Sequence, residues 1–473
     1  MKRTKIVATI GPSSNKKEMI RELIKNGADV FRLNFSHGKH EDFFRIIKII
    51  RSLEKDLKRP IAILQDLQGP KIRVGEIDGK IILQKGEIIK IAETQEDEKT
   101  IPMEKFIIKN LKKGDEILIA DGTIKLEVAS IKKSLLGGKL EIFCKVIAAG
   151  SGEIISFKGV NLPGIKIDIQ PLTEKDERDL EFGLENGVDF VALSFIKNAD
   201  DLLGVRKIIH HKMTKIIAKI ETPEAVADLD RIINVADAIM VARGDLGIEI
   251  SLENIPRVQK EIIRKCNANA KPVITATQML GSMVKNPLPT RSEVSDVSNA
   301  VLDGTDAVML SEETAIGAYP QEAVKMMSKI IKESEKIFPF GNLLPNKKEF
   351  AISDQVTLAI GDGINHIIKD LDVKAIVAFT ESGWTSKVIS AFRPSQPILA
   401  TSSHIEVLRQ LSLNFGVVPV KALSLKSTDQ MVRQARNIAI KSGLVKRGDK
   451  IVISAGIPFG HFGSTNLILV QVL

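Results

Sequence analysis

Cysteine is almost missing from this sequence. The 473 residues contain two, Cys144 and Cys266, which are lone and distant from one another. That excludes a disulfide framework and paired metal-ligand spacing, and it fits a reducing compartment. Aromatic residues are equally scarce, 4% of the chain with one Trp and one Tyr, so a stacking platform for bases is not expected. The net charge of +9 would suit nucleic acid, but Lys and Arg are interspersed with Asp and Glu throughout. Phosphorylated small molecules or a solvated lysine-rich surface account for it better, and no nucleic-acid partner is expected. No apolar run approaches the roughly 18 residues that cross a bilayer. The run from Ile6 to Ile10, stopped by Gly11-Pro12, is too short for a signal-peptide core. The expectation is a cytoplasmic protein with no membrane partner. A Gly-x-x-x-x-Gly-Lys-Ser/Thr loop is also lacking, which excludes a P-loop kinase.

What is present is a repeat. The chain is too long for one ordinary domain, and 44% hydrophobic with 27% charged residues is a globular composition. From Lys5 to about Phe338, short apolar runs alternate with amphipathic helical stretches, the pattern of βα units on a parallel sheet. Eight runs qualify as strands: Lys5 to Gly11, Val30 to Ser36, Ile61 to Leu67, Phe190 to Phe195, Lys215 to Glu221, Ala238 to Arg243, Pro272 to Gln278 and Asp306 to Ser311. The joins before several strands resemble one another, as in Asn26-Gly-Ala-Asp29, Asn186-Gly-Val-Asp189, Asn234-Val-Ala-Asp237 and Asp303-Gly-Thr-Asp306. Helix starts are read at Ser14, Thr173 and Thr222, the last with Pro223 at the first helical position. The fold class is therefore α/β, a (β/α)8 TIM barrel.

One interval breaks the rhythm. Between Leu67 and about Ile165, Gly-punctuated alternating segments replace helices: Ile81 to Ile91, Glu116 to Val128 and Lys139 to Ile147. This is far beyond the two to six residues of an ordinary βα loop, and reads as an all-β lid domain inserted after strand 3. Hinges are expected at Gly69-Pro70 and Leu162-Pro163-Gly164. Past the charged linker Pro345 to Glu349 a helix from Ser353 to Lys369 opens a C-terminal α/β domain. Its strands are read at Ala375 to Phe379, Pro397 to Ala400, Val417 to Val420 and Lys450 to Ser454. The domains are then residues 1–67 with 166–343 (barrel), 68–165 (lid) and 344–473 (C-terminal).

A barrel's active site lies at the C-terminal ends of its strands. Those ends carry Arg32, Asn34, Ser36, Asp66, Lys219, Glu221, Arg243, Asp245, Thr277, Gln278 and Ser311. For any one of them a structural salt bridge is the blander account; their coincidence on one rim favours chemistry. Period-two geometry points Lys219 and Glu221 to one face of the fifth strand. Glu221 and Asp245, after neighbouring strands, could hold Mg2+ or Mn2+ through oxygen. Arg32, Arg73 and Arg243 are fixed cations suited to phosphate or carboxylate. Metal, arginines and one placed lysine are the toolkit of phosphoryl transfer, of enolate stabilisation, or of both.

The ordered strings Lys5-Ile-Val-Ala-Thr-Ile-Gly-Pro-Ser13, Phe31-Arg-Leu-Asn-Phe-Ser-His-Gly38, Gly159-Val-Asn-Leu-Pro-Gly164, Ala218-Lys-Ile-Glu221, Ala242-Arg-Gly-Asp-Leu-Gly247, Ala276-Thr-Gln-Met-Leu280, Pro289-Thr-Arg291 and Asn299-Ala-Val-Leu-Asp-Gly304 resemble the pyruvate kinase family over essentially the whole chain. The resemblance implies a glycolytic phosphotransferase moving the phosphoryl group of phosphoenolpyruvate to ADP, giving pyruvate and ATP. By match to the family's motifs, Glu221 and Asp245 hold the divalent metal. Lys219 neutralises the moving phosphoryl group and the enolate, Arg32 contacts the phosphate, and Thr277 sits beside the enolate methylene within a water relay. Gly244 and Asp245 NH groups receive the substrate carboxylate. Asn34, His37, Arg73 and Lys158 lie on the nucleotide side. The family also implies an allosteric homotetramer. An aldolase-type barrel acting on the same enolates, and a catalytically dead metabolite sensor, are the alternatives; the lid and C-terminal domain count against the first and the complete rim against the second.

Three positions depart from the family's pattern. Potassium-using members bind that ion through residues matching Asn34, Ser36 and Asp66, with a carbonyl at position 67, and typically have Gly-Pro-Glu where this chain has Gly69-Pro70-Lys71. An ammonium at Lys71 can replace the ion, so K+ is not expected to be required. Glu312 stands where a glycine is usual, and Leu67-Gln68 replaces a Thr-Lys pair. For regulation, Thr380-Glu-Ser-Gly-Trp-Thr-Ser386 (Thr380, Ser382, Gly383, Trp384, Thr385, Ser386) and the later Gly456 to Thr465 segment could cradle a phosphate. A sugar phosphate or nucleotide monophosphate is the expected effector class.

Overall fold

The computed structural model describes residues 1–133, 140–150, 152–165, 170–209, 213–341, 355–459 and 465–473. The linker read at 345–349, the start of the helix read from Ser353, the start of the lid strand read from Lys139 and residues 460–464 of the glycine-rich segment lie outside the described residues.

Strands β1 (Lys5–Ile10), β2 (Val30–Asn34) and β3 (Ala62–Asp66) begin the barrel. The lid follows with β4 (Ile81–Ile82), β5 (Ile88–Ala92), β6 (Thr100–Pro102), β7 (Glu116–Ile119), β8 (Ile124–Lys133), β9 (Leu140–Ala148), β10 (Glu153–Ile154) and β11 (Val160–Asn161). The chain returns to the barrel with β12 (Phe190–Leu193), β13 (Lys215–Ile220), β14 (Ala238–Ala242), β15 (Val273–Ala276) and β16 (Ala307–Leu310). The C-terminal domain holds β17 (Val373–Phe379), β18 (Ile398–Ser402), β19 (Val417–Lys421), β20 (Lys450–Ala455) and β21 (Leu467–Val472).

The barrel closes in the order β1-β16-β15-β14-β13-β12-β3-β2. All eight expected strands are present, each shorter by one to three residues than its apolar run. The residues trimmed off the C-terminal ends include Ser36, Ser194, Glu221, Arg243, Thr277, Gln278 and Ser311, which leave the ladder at the rim. The strands are apolar on both faces because both are covered. Val7, Leu64, Ile217, Met240, Ile274 and Met309 fill the interior, and the outward residues pack under the helices. The lid is a six-stranded sheet, β11-β7-β8-β9-β5-β6, with a two-stranded β10-β4 ribbon and one short helix, Lys105–Asn110. The C-terminal sheet runs β19-β18-β17-β20-β21; its last strand, antiparallel to β20, was not anticipated from the sequence.

The four similar joins have one physical explanation. Asp29, Asp189, Asp237 and Asp306 each donate a backbone NH to the carbonyl of Ile6, Ile63, Ile216 or Val273, and each carboxylate accepts that same residue's NH at 2.8 to 3.1 Å. A two-way bracket thus closes the N-terminal end of four strands. Each bracket is neutralised by a cation: Lys2 and Arg59, Arg51, Arg206 and Arg393 respectively. Arg393 comes from the C-terminal domain, which docks on this end of the barrel. Arg409 pairs with Glu54 there, and the Phe415 NH donates to Asp306.

Helix starts are borne out at Thr173, in a capping box with Asp176, and at Thr222 with Pro223. Ser14 is a correction: the helix starts at Lys17, and the Ser14 hydroxyl instead accepts the Gly11 NH at 3.2 Å. At the first hinge Gly69 has φ of 69° and packs so that a Cβ would lie 2.8 Å from that of Ser194. Its NH donates to Asp176, which ties the outgoing arm of the lid to the helix that follows the returning arm.

Candidate active site

Lys219 is the centre of the C-terminal rim. Its ammonium lies 2.9 Å from Glu221 Oε1, 3.3 Å from Asp66 Oδ1 and 2.7 Å from the Ser194 hydroxyl, on which it acts as donor. Ser194 in turn donates to the Leu67 carbonyl at 2.8 Å. Asp66 also receives Arg32 Nε at 2.7 Å, and Arg32 is steadied by the Thr9 hydroxyl at 3.1 Å. Glu221 is fully buried; its Oε2 accepts the Phe195 NH at 2.6 Å.

Burial disfavours the Lys219 charge, but Asp66 and Glu221 overcome it and hold the pKa above the ordinary lysine range. Asp66 is desolvated too, yet Lys219 and Arg32 keep it below the usual carboxylate value. Glu221 moves the other way: burial and nearby Asp245 push its carboxyl up against the pull of Lys219.

Asp245 lies in the first turn of the helix Arg243–Glu249, where a carboxylate suits the helix dipole. Its partner is Lys71, whose ammonium is 3.6 Å from Asp245 and 3.9 Å from Asp121 of the lid. No ion pair joins Lys71 to Asp66 among the described residues; its charge stands on the Asp245 side of the rim. A second lid contact, Asn161 to Glu249 at 2.7 Å, grips the same helix.

Thr277 has φ of 67°, a costly conformation for a β-branched residue, imposed where the backbone leaves β15. Its hydroxyl donates to the Ala276 carbonyl at 2.7 Å and accepts the Gly244 NH at 2.8 Å. The Gly244 NH is therefore engaged by Thr277. Arg243, read as a fixed cation suited to phosphate or carboxylate, has a carboxylate within the chain: it forms a bidentate pair with Asp296 at 2.7 and 2.8 Å and donates to the Thr277 carbonyl. Ser311 is half-buried, and its NH is bonded to Glu313. Glu312 is exposed at the start of the short helix Glu312–Ala315.

On the other flank, Asn34 Oδ1 accepts the Ser36 NH, while His37 is exposed. Arg73 and Gly159 form a bridge at the lid base, with exposed Lys158 adjacent, and Arg73 donates to the Phe157 carbonyl. His40, which the sequence reading passed over, stacks on Phe182 and binds Asp179 at 2.7 Å. Ser194, Thr9 and Asp296 were also missed; each is a single polar residue whose partner lies far along the chain. In the C-terminal domain, Thr380, Ser382, Trp384 and Thr385 line a cleft with Ser402, Ser403 and Ser424, at the start of the helix Trp384–Ala391. Gly383, with φ of 88°, and buried Ser386 flank it.

Comparison with known proteins matches the pyruvate kinase barrel domain over residues 1–324 and the pyruvate kinase alpha/beta domain over residues 359–471. Full-length relatives include pyruvate kinases of Staphylococcus saprophyticus, 44% identical over 99% of this chain and 80% of the relative, and of Staphylococcus aureus, 44% identical over 100% and 81%. The pyruvate kinase of Staphylococcus epidermidis is 43% identical over the same shares, 100% and 81%. The chain belongs to the pyruvate kinase family.

The family implies a divalent metal, and the residues present fit one. Glu221 Oε1 is buried and, apart from the Lys219 ion pair, accepts no aligned hydrogen bond. Asp245 is near enough for its charge to act on Glu221. Among the described residues no three His, Cys, Asp or Glu converge into a ready-made cage. Two protein carboxylates with the remaining positions left to substrate and water is the manner of a hard cation that keeps several waters. No helix among the described residues is long and apolar enough to cross a membrane.

Proposed function

We infer that the chain transfers the phosphoryl group of phosphoenolpyruvate to ADP, producing pyruvate and ATP. The observation that carries the residue assignment is Lys219 lodged between Asp66 and Glu221, facing Asp245, on the rim of a family barrel. The bond from phosphorus to the enol oxygen breaks, a bond to a β-phosphate oxygen of ADP forms, and the enolate left behind takes a proton on its methylene carbon.

Glu221 and Asp245 would hold the divalent metal, Mg2+ or Mn2+, which when bound supplies positive charge to the phosphoryl and enolate oxygens. Lys219 acts as a fixed charge: a pKa held above the ordinary lysine range makes it a poor proton donor. Arg32, already aimed by Asp66 and Thr9, contacts the phosphate. Protonation then falls to water ordered at Thr277, whose single hydroxyl proton is committed to Ala276 and must be passed through a relay. Asn34, His37, Arg73 and Lys158 take the nucleotide, and the Asp245 amide takes the substrate carboxylate.

Lys71 supplies the monovalent cation's charge, from the Asp245 side, while Asn34, Ser36, Asp66 and the Leu67 carbonyl are the remnants of that site. The cytoplasm, a homotetramer and a phosphate-bearing effector at Thr380 to Ser386 are proposed from the family and from the cleft's hydroxyls.

A coupled assay of pyruvate formation tests the central reading. ADP-dependent product from wild type, lost in Lys219→Met, is the expected result; no such product from wild type refutes it. The same assay without K+ should run at full rate, and Lys71→Glu should acquire K+ activation. Velocity curves with AMP, ribose 5-phosphate and fructose 1,6-bisphosphate test the effector, and sedimentation tests the tetramer.

A further inference from the structure

The brackets at the N-terminal end of the barrel are not alike in charge. Asp306 has Arg393, Asp189 has Arg51, and the cations around Asp29 are offset by Glu335 as well. Asp237 is different. Arg206 lies 2.9 Å from it and Lys215 3.9 Å. Lys271 acts on the same carboxylate while spending its hydrogens on the Ala236 and Asn234 carbonyls. Lys387 reaches in from the C-terminal domain, one turn along the helix Trp384–Ala391, close enough to feel Asp237, Lys215 and Lys271.

Four cations from four separate elements therefore face one carboxylate. Backbone carbonyls satisfy donors but cancel no net charge. The Lys387 ammonium forms neither a hydrogen bond nor an ion pair with any described residue, and burial pulls it down to about 8. The cluster is reachable from solvent, since the Arg206 and Lys215 side chains remain 35% and 31% exposed.

We propose that the cluster of Arg206, Lys215, Lys271 and Lys387 is an anion site that takes a phosphate monoester at the junction of barrel and C-terminal domain. A dianion with three acceptor oxygens suits a cluster of three ammonium groups and a guanidinium whose positive charge exceeds that of its one carboxylate. It is separate from the cleft at Thr380 to Ser386: Trp384 lines that cleft, whereas Lys387 faces the barrel. Because its ligands come from both domains, occupancy would tighten their docking.

The test uses the full chain with inorganic phosphate as probe, read by titration calorimetry and thermal melting against chloride at equal ionic strength. Three variants are compared: Lys387→Met, Lys271→Met and Thr380→Val. Met keeps the lysine stem and removes an unpaired charge, so Lys387→Met should fold. Wild type and Thr380→Val should show phosphate binding and a rise in melting temperature. In the two lysine variants one class of site should weaken about tenfold or more, with the melting shift reduced. Unchanged phosphate binding in Lys387→Met, or an equal shift from chloride, overturns the proposal.

Discussion

At the N-terminal end of the barrel, Asp29, Asp189, Asp237 and Asp306 each accept a backbone NH and face at least one cation. At the C-terminal end, Asp66, Glu221 and Asp245 share Arg32, Lys219 and Lys71, and Glu221 Oε1 has no aligned hydrogen bond. The same residue type is thus used to opposite ends. Below, carboxylates are fixed by donors that cannot be exchanged, and the result is closure and domain docking. Above, they are left with exchangeable cations, which on the proposed reading an incoming metal and substrate would reapportion.

The largest effect expected from this contrast is in stability. Arg393→Ala removes a buried guanidinium 2.8 Å from Asp306 and leaves that carboxylate uncompensated. Denaturant unfolding should show a loss of about 3–5 kcal/mol, and divalent metal should restore none of it. Lys219→Met comes next. Its kcat should fall about 10²–10³-fold, the scale of losing one preorganised electrostatic contact. It also strips a cation from Asp66 and Glu221, so its melting temperature should drop and recover as Mg2+ is added. Rescue of Arg393→Ala by Mg2+, or no rescue of Lys219→Met, would erase the distinction between the two rims.

Glu312 bounds the upper site. It is exposed and has no hydrogen bond or ion pair to the Lys219 network among the described residues, so Glu312→Gly should change stability by no more than about 0.5 kcal/mol. Its kcat/KM should stay within experimental scatter of wild type. A larger change would mean that the rim's working charge extends further than Asp66, Glu221 and Asp245.

The barrel, lid and C-terminal sheet were legible because each rests on local periodicity. Even the recurring Asp at the joins was visible before its use was. The placement of the rim residues was legible, since the strand ends of a barrel gather on one face, where active sites are built. What local pattern cannot carry is partnership at long range. Arg243 was read as suited to phosphate or carboxylate because Asp296 is a helix away, and Ser194 was passed over because its links to Lys219 and Leu67 exist only in three dimensions. The helix start at Ser14 failed for a related reason: its hydroxyl was drawn back to Gly11. Strand β21 escaped notice because an antiparallel closing strand breaks the parallel rule followed by its neighbours.

The last prediction concerns the one lower bracket with too many cations. Lys387 titrates at about 8 in the folded chain against 10.5 ordinarily. Between those values the unfolded chain keeps a proton that the folded chain has lost, so stability contributed by this position rises with pH across that window and is lowest below it. Lys387→Met lacks the charge, so it should melt above wild type at pH 7, and the gap should narrow between pH 8 and 10.5. Phosphate at the cluster would neutralise it and let Lys387 keep its proton, flattening the wild-type slope. A gap that stays constant with pH, with or without phosphate, would mean that Lys387 carries no unpaired charge and that the lower rim is balanced throughout.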